Sequence, residues 1–180
     1  VISTDDDTVT VMFGQQRNFR VLVVAHCVAS CFMVGMIWTV HLLHYPLFEY
    51  VGEDTYVRFQ QEHVDRIGSL LLVPWLTEGV TLLALIGLAF FGGRRDLRMP
   101  TVINALSMAV VLVISGFWSA PAHGDLSDGF DPVVHDRLMN ANLVRTLAWT
   151  VCGAMSIWTL IRIWKSDAID SNNSQPVSAT

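Results

Sequence analysis

The stretch "VLVVAHCVASCFMVGMIWTV" (Val21–Val40) holds no acid, and His26 is its one basic side chain. A helix rises about 1.5 Å per residue, so about 20 apolar residues cover the roughly 30 Å of bilayer hydrocarbon. Three more windows are of similar length and nearly as apolar: "LLLVPWLTEGVTLLALIGLAFF" (Leu70–Phe91), "VINALSMAVVLVISGFWSA" (Val102–Ala120) and "LVRTLAWTVCGAMSIWTLI" (Leu143–Ile161). Helices satisfy their own backbone hydrogen bonds in lipid, where open strands cannot. The expected fold is therefore all-α: an integral membrane four-helix bundle in one domain, with the lipid bilayer as its first partner.

Composition agrees. Of 180 residues, 52% are hydrophobic and only 15% charged, with a mean hydropathy of +0.46. Soluble domains carry more charge than that. We divide the chain into a polar segment 1–18, a transmembrane domain 19–166 and a tail 167–180. The spans fall at about 21–44, 69–91, 101–120 and 142–163. The first window is too long for a signal-peptide core and reads as a retained span. The tail has no periodicity and reads as disordered. Cys27, Cys31 and Cys152 lie in apolar windows and read as small buried hydrophobes. A net charge of -5 and the absence of any basic motif argue against a nucleic-acid partner.

Basic residues set the expected orientation. Arg17, Arg20, Arg94, Arg95, Arg98, Arg162 and Lys165 are seven of the eleven Lys and Arg, and four spans put them on one side. The positive-inside rule makes that side cytoplasmic. Both termini are then expected inside, most simply at a bacterial inner membrane, with two longer acid-rich links outside. In the first link, "RFQQEHVDRIG" (Arg58–Gly68) has the pattern of an amphipathic surface helix.

Helix rise then gives depths from the inner boundary. Glu78 lies roughly 21 Å out, Arg145 roughly 25 Å, Asn142 about 30 Å, and His41, His44 and His123 roughly 31–36 Å. Polar residues of all four spans thus converge toward the outer third. A carboxylate as deep as Glu78 needs a partner, and Arg145 is the basic residue at matching depth. The pair is either catalytic or a lock between spans two and four. His41 and His44, at i and i+3, can share one helical face. With His123, and then His63, they form the candidate metal set, with copper, iron or haem as the candidate cofactors. Interfacial capping is the plainer reading of the same histidines, and His26 reads as a hydrogen-bonded packing residue. Trp38, Trp75, Trp118 and Trp149 are belt residues or, together, walls of a pocket for a flat lipophilic molecule, with Trp118 and Trp149 the candidates for binding a cofactor.

"WSAPAHGDLSDGF" (Trp118–Phe130) followed by "LMNANLVRTLAWT" (Leu138–Thr150) resembles the end of the anthrone-oxygenase-like family of small four-helix membrane proteins. Asn142, Arg145 and Thr146 match that family's Asn-x-x-Arg-Thr element, Pro121 its exit from span three, and "HYPLF" (His44–Phe48) its exit from span one. The chain departs from the family at "PAHGDL", where the family often has an Asn-rich stretch. The resemblance implies a membrane oxidoreductase or oxygenase-like protein acting on a lipophilic aromatic or quinone-like small molecule. Glu78 and a histidine would then be acid/base candidates, with Arg145 and Asn142 orienting the substrate. The alternative is a non-catalytic membrane subunit, or a haem- or metal-anchoring protein, docked to partner subunits through its outer links.

Overall fold

A computed structural model describes the backbone of residues 4–173 and the side chains of residues 15–165. It is all-helical. Helix α1 (Thr4–Thr39) continues into a π turn (Val40–His44) and a 3-10 turn (Tyr45–Tyr50). Helix α2 spans Glu53–Phe90, and a 3-10 turn (Arg95–Leu97) leads into α3 (Arg98–Ile114). A second π turn (Ser115–Ser119) joins α3 to the short α4 (Ala120–Leu126), and α5 spans Pro132–Asn173. Four of the resulting rods are long and apolar enough to cross a membrane.

The rods alternate in direction, so the bundle has two chemically distinct ends. Val23, Leu85, Ala89, Leu97 and Ile163 close one end, where Arg94 lies over the Phe19 ring at 4.2 Å. We call this the arginine end. Val40, Tyr45, Phe48, Tyr56, Leu126 and Leu138 close the other, the histidine end. Between them, Met33, Ile37, Leu82, Met108, Val111 and Trp149 pack the middle. In lipid such packing works through close contact rather than water exclusion, so small residues matter where helices cross. Gly153 is such a point: a Cβ there would come within 2.8 Å of Val34 Cγ2. Near it, Trp38 Nε1 donates to Thr150 Oγ1 at 3.0 Å, again joining α1 to α5.

Several expectations need correction. The segment Arg58–Gly68 is not a separate surface helix but the opening of α2, a 38-residue rod. At about 1.5 Å per residue that rod is roughly 57 Å long, well beyond the hydrocarbon. The long outer links are thus mostly helix. The second ends at Asp131, whose Oδ1 accepts from the N–H groups of Val133 (2.7 Å) and Val134 (3.2 Å). With Pro132 as the first helical residue this is a strong start signal for α5. The tail expected to be disordered from 167 begins inside α5, which reaches Asn173, and residues 174–180 lie outside the described ones.

Both π turns sit in front of a proline. Pro46 follows His44 by two residues, and Pro121 follows Ser119 by two. Proline cannot donate to the carbonyl four residues back, and its ring crowds that carbonyl. A wide turn before it relieves the crowding, and such turns recur at functional sites. Here both fall at the same level of the bundle and face the same space.

Candidate functional site

That space is a cavity of about 590 Å³ at the histidine end. Its apolar walls include Met33, Ile37, Ile67, Leu71 and Trp75, and its polar groups are few: Tyr45, His123, Arg145 and the hydroxyls Ser115, Ser119 and Ser127. Both π turns contribute, Val40 from one and Ser115 and Ser119 from the other. Gly68 of α2 and Gly124 of α4 also line it; both are exposed, and a Cβ on either would meet open space. The cavity therefore opens sideways between α2 and α4, toward the surface that would face lipid.

One polar chain organises the inner wall. Gln60, fully buried, places Nε2 2.9 Å from His123 Nδ1 and 3.4 Å from the His123 carbonyl oxygen. A carbonyl can only accept, so the amide nitrogen donates to it and to Nδ1. Nδ1 is then the bare nitrogen, and His123 carries its proton on Nε2. That nitrogen lies 2.9 Å from the Tyr45 hydroxyl and donates to it. Arg145 adjoins the same hydroxyl from the opposite helix. The Tyr45 oxygen thus faces two donors, and its own O–H is free to donate into the cavity. Arg145 Nε is buried without a partner beside it, as are Ser115 Oγ and Ser119 Oγ. Buried polar atoms in folded proteins are rarely left so, and a cluster of them on one wall marks a place for a ligand's acceptor atoms.

Tyr45 is held from behind as well. His135, only 2% exposed, donates from Nε2 to the Tyr45 carbonyl at 2.9 Å, and its Nδ1 lies 3.6 Å from Glu49. Phe48, fully buried, packs edge-on against Tyr45, His44, His63 and Phe59. Tyr45, Gln60 and the three cavity serines carry no signal in the sequence alone. Tyr45 stood in the "HYPLF" exit, and Gln60 precedes His63 by three, on the same face of α2.

The anticipated residues are only partly brought together. Arg145, His123 and Trp149 line the cavity. Glu78 does not, and it does not pair with Arg145. Trp149 stands between them: its Nε1 donates to Glu78 Oε2 at 3.0 Å, while the Arg145 guanidinium lies 5.5 Å from its ring. Glu78 Oε1 has no partner, and Ser30 adjoins the carboxyl without a well-formed hydrogen bond. Asn142 is buried one turn before Thr146, away from the cavity wall, with neither amide atom partnered. Trp118 is 46% exposed and packs on Phe117, so it belongs to the surface rather than to a pocket.

Three of the four candidate histidines adjoin, and the fourth, His41, does not. His44 Nε2 lies 2.8 Å from His63 Nδ1, and the His63 ring is 5.3 Å from His123. His41 stays apart, edge-on to Trp38. The π turn between them is the reason, since its wider winding breaks the i, i+3 alignment of an α-helix. Among the described residues no three His, Cys, Asp or Glu side chains converge as metal ligands would. At mid-bundle His26 is the packing residue expected: Nδ1 contacts Thr81 Oγ1 and Nε2 contacts Asn104 Nδ2, both at 2.9 Å.

No protein-family model, curated protein or solved structure matches the chain.

Proposed function

We propose that the chain spans a membrane and binds a lipophilic, oxygen-bearing ring molecule in the cavity, as an oxidoreductase or oxygenase-like enzyme. One observation carries this reading: an apolar cavity open at the side of the bundle is lined by Tyr45, whose hydroxyl is met by His123 and Arg145, and by Arg145 itself, whose buried Nε–H has no partner. Such a pocket suits a flat apolar body with one acceptor oxygen, a ketone, quinone or phenol. The two donors would stabilise negative charge on that oxygen, and buried donors do so far better than water-exposed ones.

The chemistry follows from the hydrogen bonds. A bound quinol gives two electrons and two protons to dioxygen, leaving a quinone and hydrogen peroxide. As a proton leaves the quinol oxygen, the Tyr45 O–H and the Arg145 Nε–H donate to that oxygen and hold its negative charge, while His123 Nε2–H holds the Tyr45 hydroxyl in place. The resemblance of the Asn142–Thr146 element supports the same substrate class. The bacterial inner membrane, with both termini cytoplasmic, is the setting that the arginine end favours.

The test is oxygen uptake by protein purified in mild detergent, with anthrone and a short-chain naphthoquinol as substrates. Uptake above the uncatalysed rate that is lost in Tyr45→Phe and Arg145→Met supports the enzyme. Binding without turnover in every condition would favour a non-catalytic membrane subunit, for which the helices protruding at the histidine end offer a docking surface.

A further inference from the structure

A second concavity, about 600 Å³, lies on the outside of the bundle toward the arginine end. Its floor is one face of α1, where Ala25 and Ala29 leave room between Val21, Val28 and Phe32. Val73 and Pro74 of α2 form one wall and Trp164 of α5 the other. The groove is open: Val28 is 64% exposed, Val73 69% and Trp164 66%. Its lining is apolar with one charged exception, Arg20.

Arg20 lies at the end of the groove nearest the other basic residues. Arg17 precedes it on α1, and Arg162 and Lys165 stand at the matching end of α5. From Arg20 to Phe32 the groove follows α1 for roughly 18 Å. Half of a roughly 30 Å hydrocarbon core is about 15 Å, the depth that one leaflet's acyl chain spans. Trp164 beside Arg20 is placed as an interfacial tryptophan would be, at headgroup level. Length, sidedness and charge agree on one occupant.

We propose that this groove is a binding site for an anionic phospholipid, one acyl chain lying on Ala25 and Ala29 and the headgroup phosphate at Arg20. It rests on the membrane reading but not on the cavity or its chemistry. A basic side chain near a membrane surface favours an anionic headgroup by a factor of about five.

The test uses the full chain in dodecyl maltoside, supplied with phosphatidylglycerol or with phosphatidylcholine of the same acyl chains. Native mass spectrometry counts retained lipid, and thermal unfolding reports stabilisation. One phosphatidylglycerol per chain is expected, held about fivefold better than phosphatidylcholine. Arg20→Gln removes that preference, and Ala25→Leu, which fills the floor, removes retention of both lipids. Equal retention of the two lipids, or an Arg20→Gln protein that behaves as wild type, overturns the proposal. So does an equal stabilisation by glycerol phosphate alone, which would make Arg20 a bare anion site, or a lipid-free dimer, which would assign the groove to a second copy. Should Ala25→Leu fail to fold, Arg20→Gln decides alone, since it alters an exposed side chain.

Discussion

Trp149 donates its indole N–H to Glu78 Oε2 over 3.0 Å and so separates the buried carboxyl from the cavity that Trp149 itself lines. The carboxyl is thereby a structural neighbour of the site rather than part of its wall. Trp149→Phe should leave both Glu78 oxygens without donors in the core. The expected cost is about 1–3 kcal/mol, the usual penalty for a buried polar group that loses its partner. Glu78→Gln keeps an acceptor for the indole and should cost under about 1 kcal/mol, with ligand affinity unchanged. Unfolding midpoints in detergent and a binding titration on each variant would check this. A tenfold loss of binding in Glu78→Gln would return the carboxyl to the site.

At the α1–α5 crossing, Gly153→Ala should push Val34 away, because the new Cβ would lie 2.8 Å from Val34 Cγ2. Overpacking of this kind costs about 1–3 kcal/mol. Val34→Ala in the same chain should restore most of it, an interaction that a double-mutant cycle on unfolding midpoints resolves. Equal losses with and without Val34→Ala would place the cost elsewhere.

The two histidines of the first exit should behave differently although they are three residues apart. His44→Ala removes the partner 2.8 Å from His63 Nδ1 and leaves a buried imidazole without any hydrogen bond, since its Nε2 already has none. We expect about 1–3 kcal/mol of destabilisation. His41→Ala touches neither this pair nor the cavity, and should stay within about 0.5 kcal/mol. Purified side by side, the two proteins should show separate unfolding midpoints. Identical losses would mean that the histidines act as one unit.

Gly68→Leu and Gly124→Leu should fill the lateral opening without disturbing the bundle. A Cβ at either position meets no atom within 4 Å, and leucine favours helix over glycine by roughly 0.8 kcal/mol. Unfolding midpoints should hold or rise while uptake of lipophilic ligand from detergent micelles is lost. Undiminished uptake in both variants would place the entrance at another seam.

Much of this architecture was legible in the sequence because hydropathy and helix rise are local quantities. The windows around Val21–Val40 and Leu70–Phe91 need no partner to declare themselves, and depth along each span brings Arg145 and His123 toward the same outer third. What depth cannot give is azimuth. Glu78 and Arg145 lie at similar heights, yet an indole stands between them. His41 and His44 share a face in an α-helix but part in a π turn, and that turn depends on Pro46 two residues on. The amphipathic pattern of Arg58–Gly68 suits a helix lying on an outer surface, and the same pattern serves a rod that packs one face on Phe48 and the first exit. Gln60 and Tyr45 gave no signal of their own, since glutamine and tyrosine near a helix end are ordinary until the fold sets them against His123.

The most direct test of the cavity reading is tryptophan fluorescence during titration with 2-methyl-1,4-naphthoquinone. Trp75 and Trp149 line the cavity, so a bound quinone should quench them to saturation at one equivalent. Loss of the charged donor in Arg145→Met should weaken binding about 10–100-fold, and loss of the hydroxyl in Tyr45→Phe about 3–10-fold. Saturable quenching with that order of variants is the result predicted. Quenching that never saturates, or that is the same in wild type, Tyr45→Phe and Arg145→Met, would contradict a site built on those two donors.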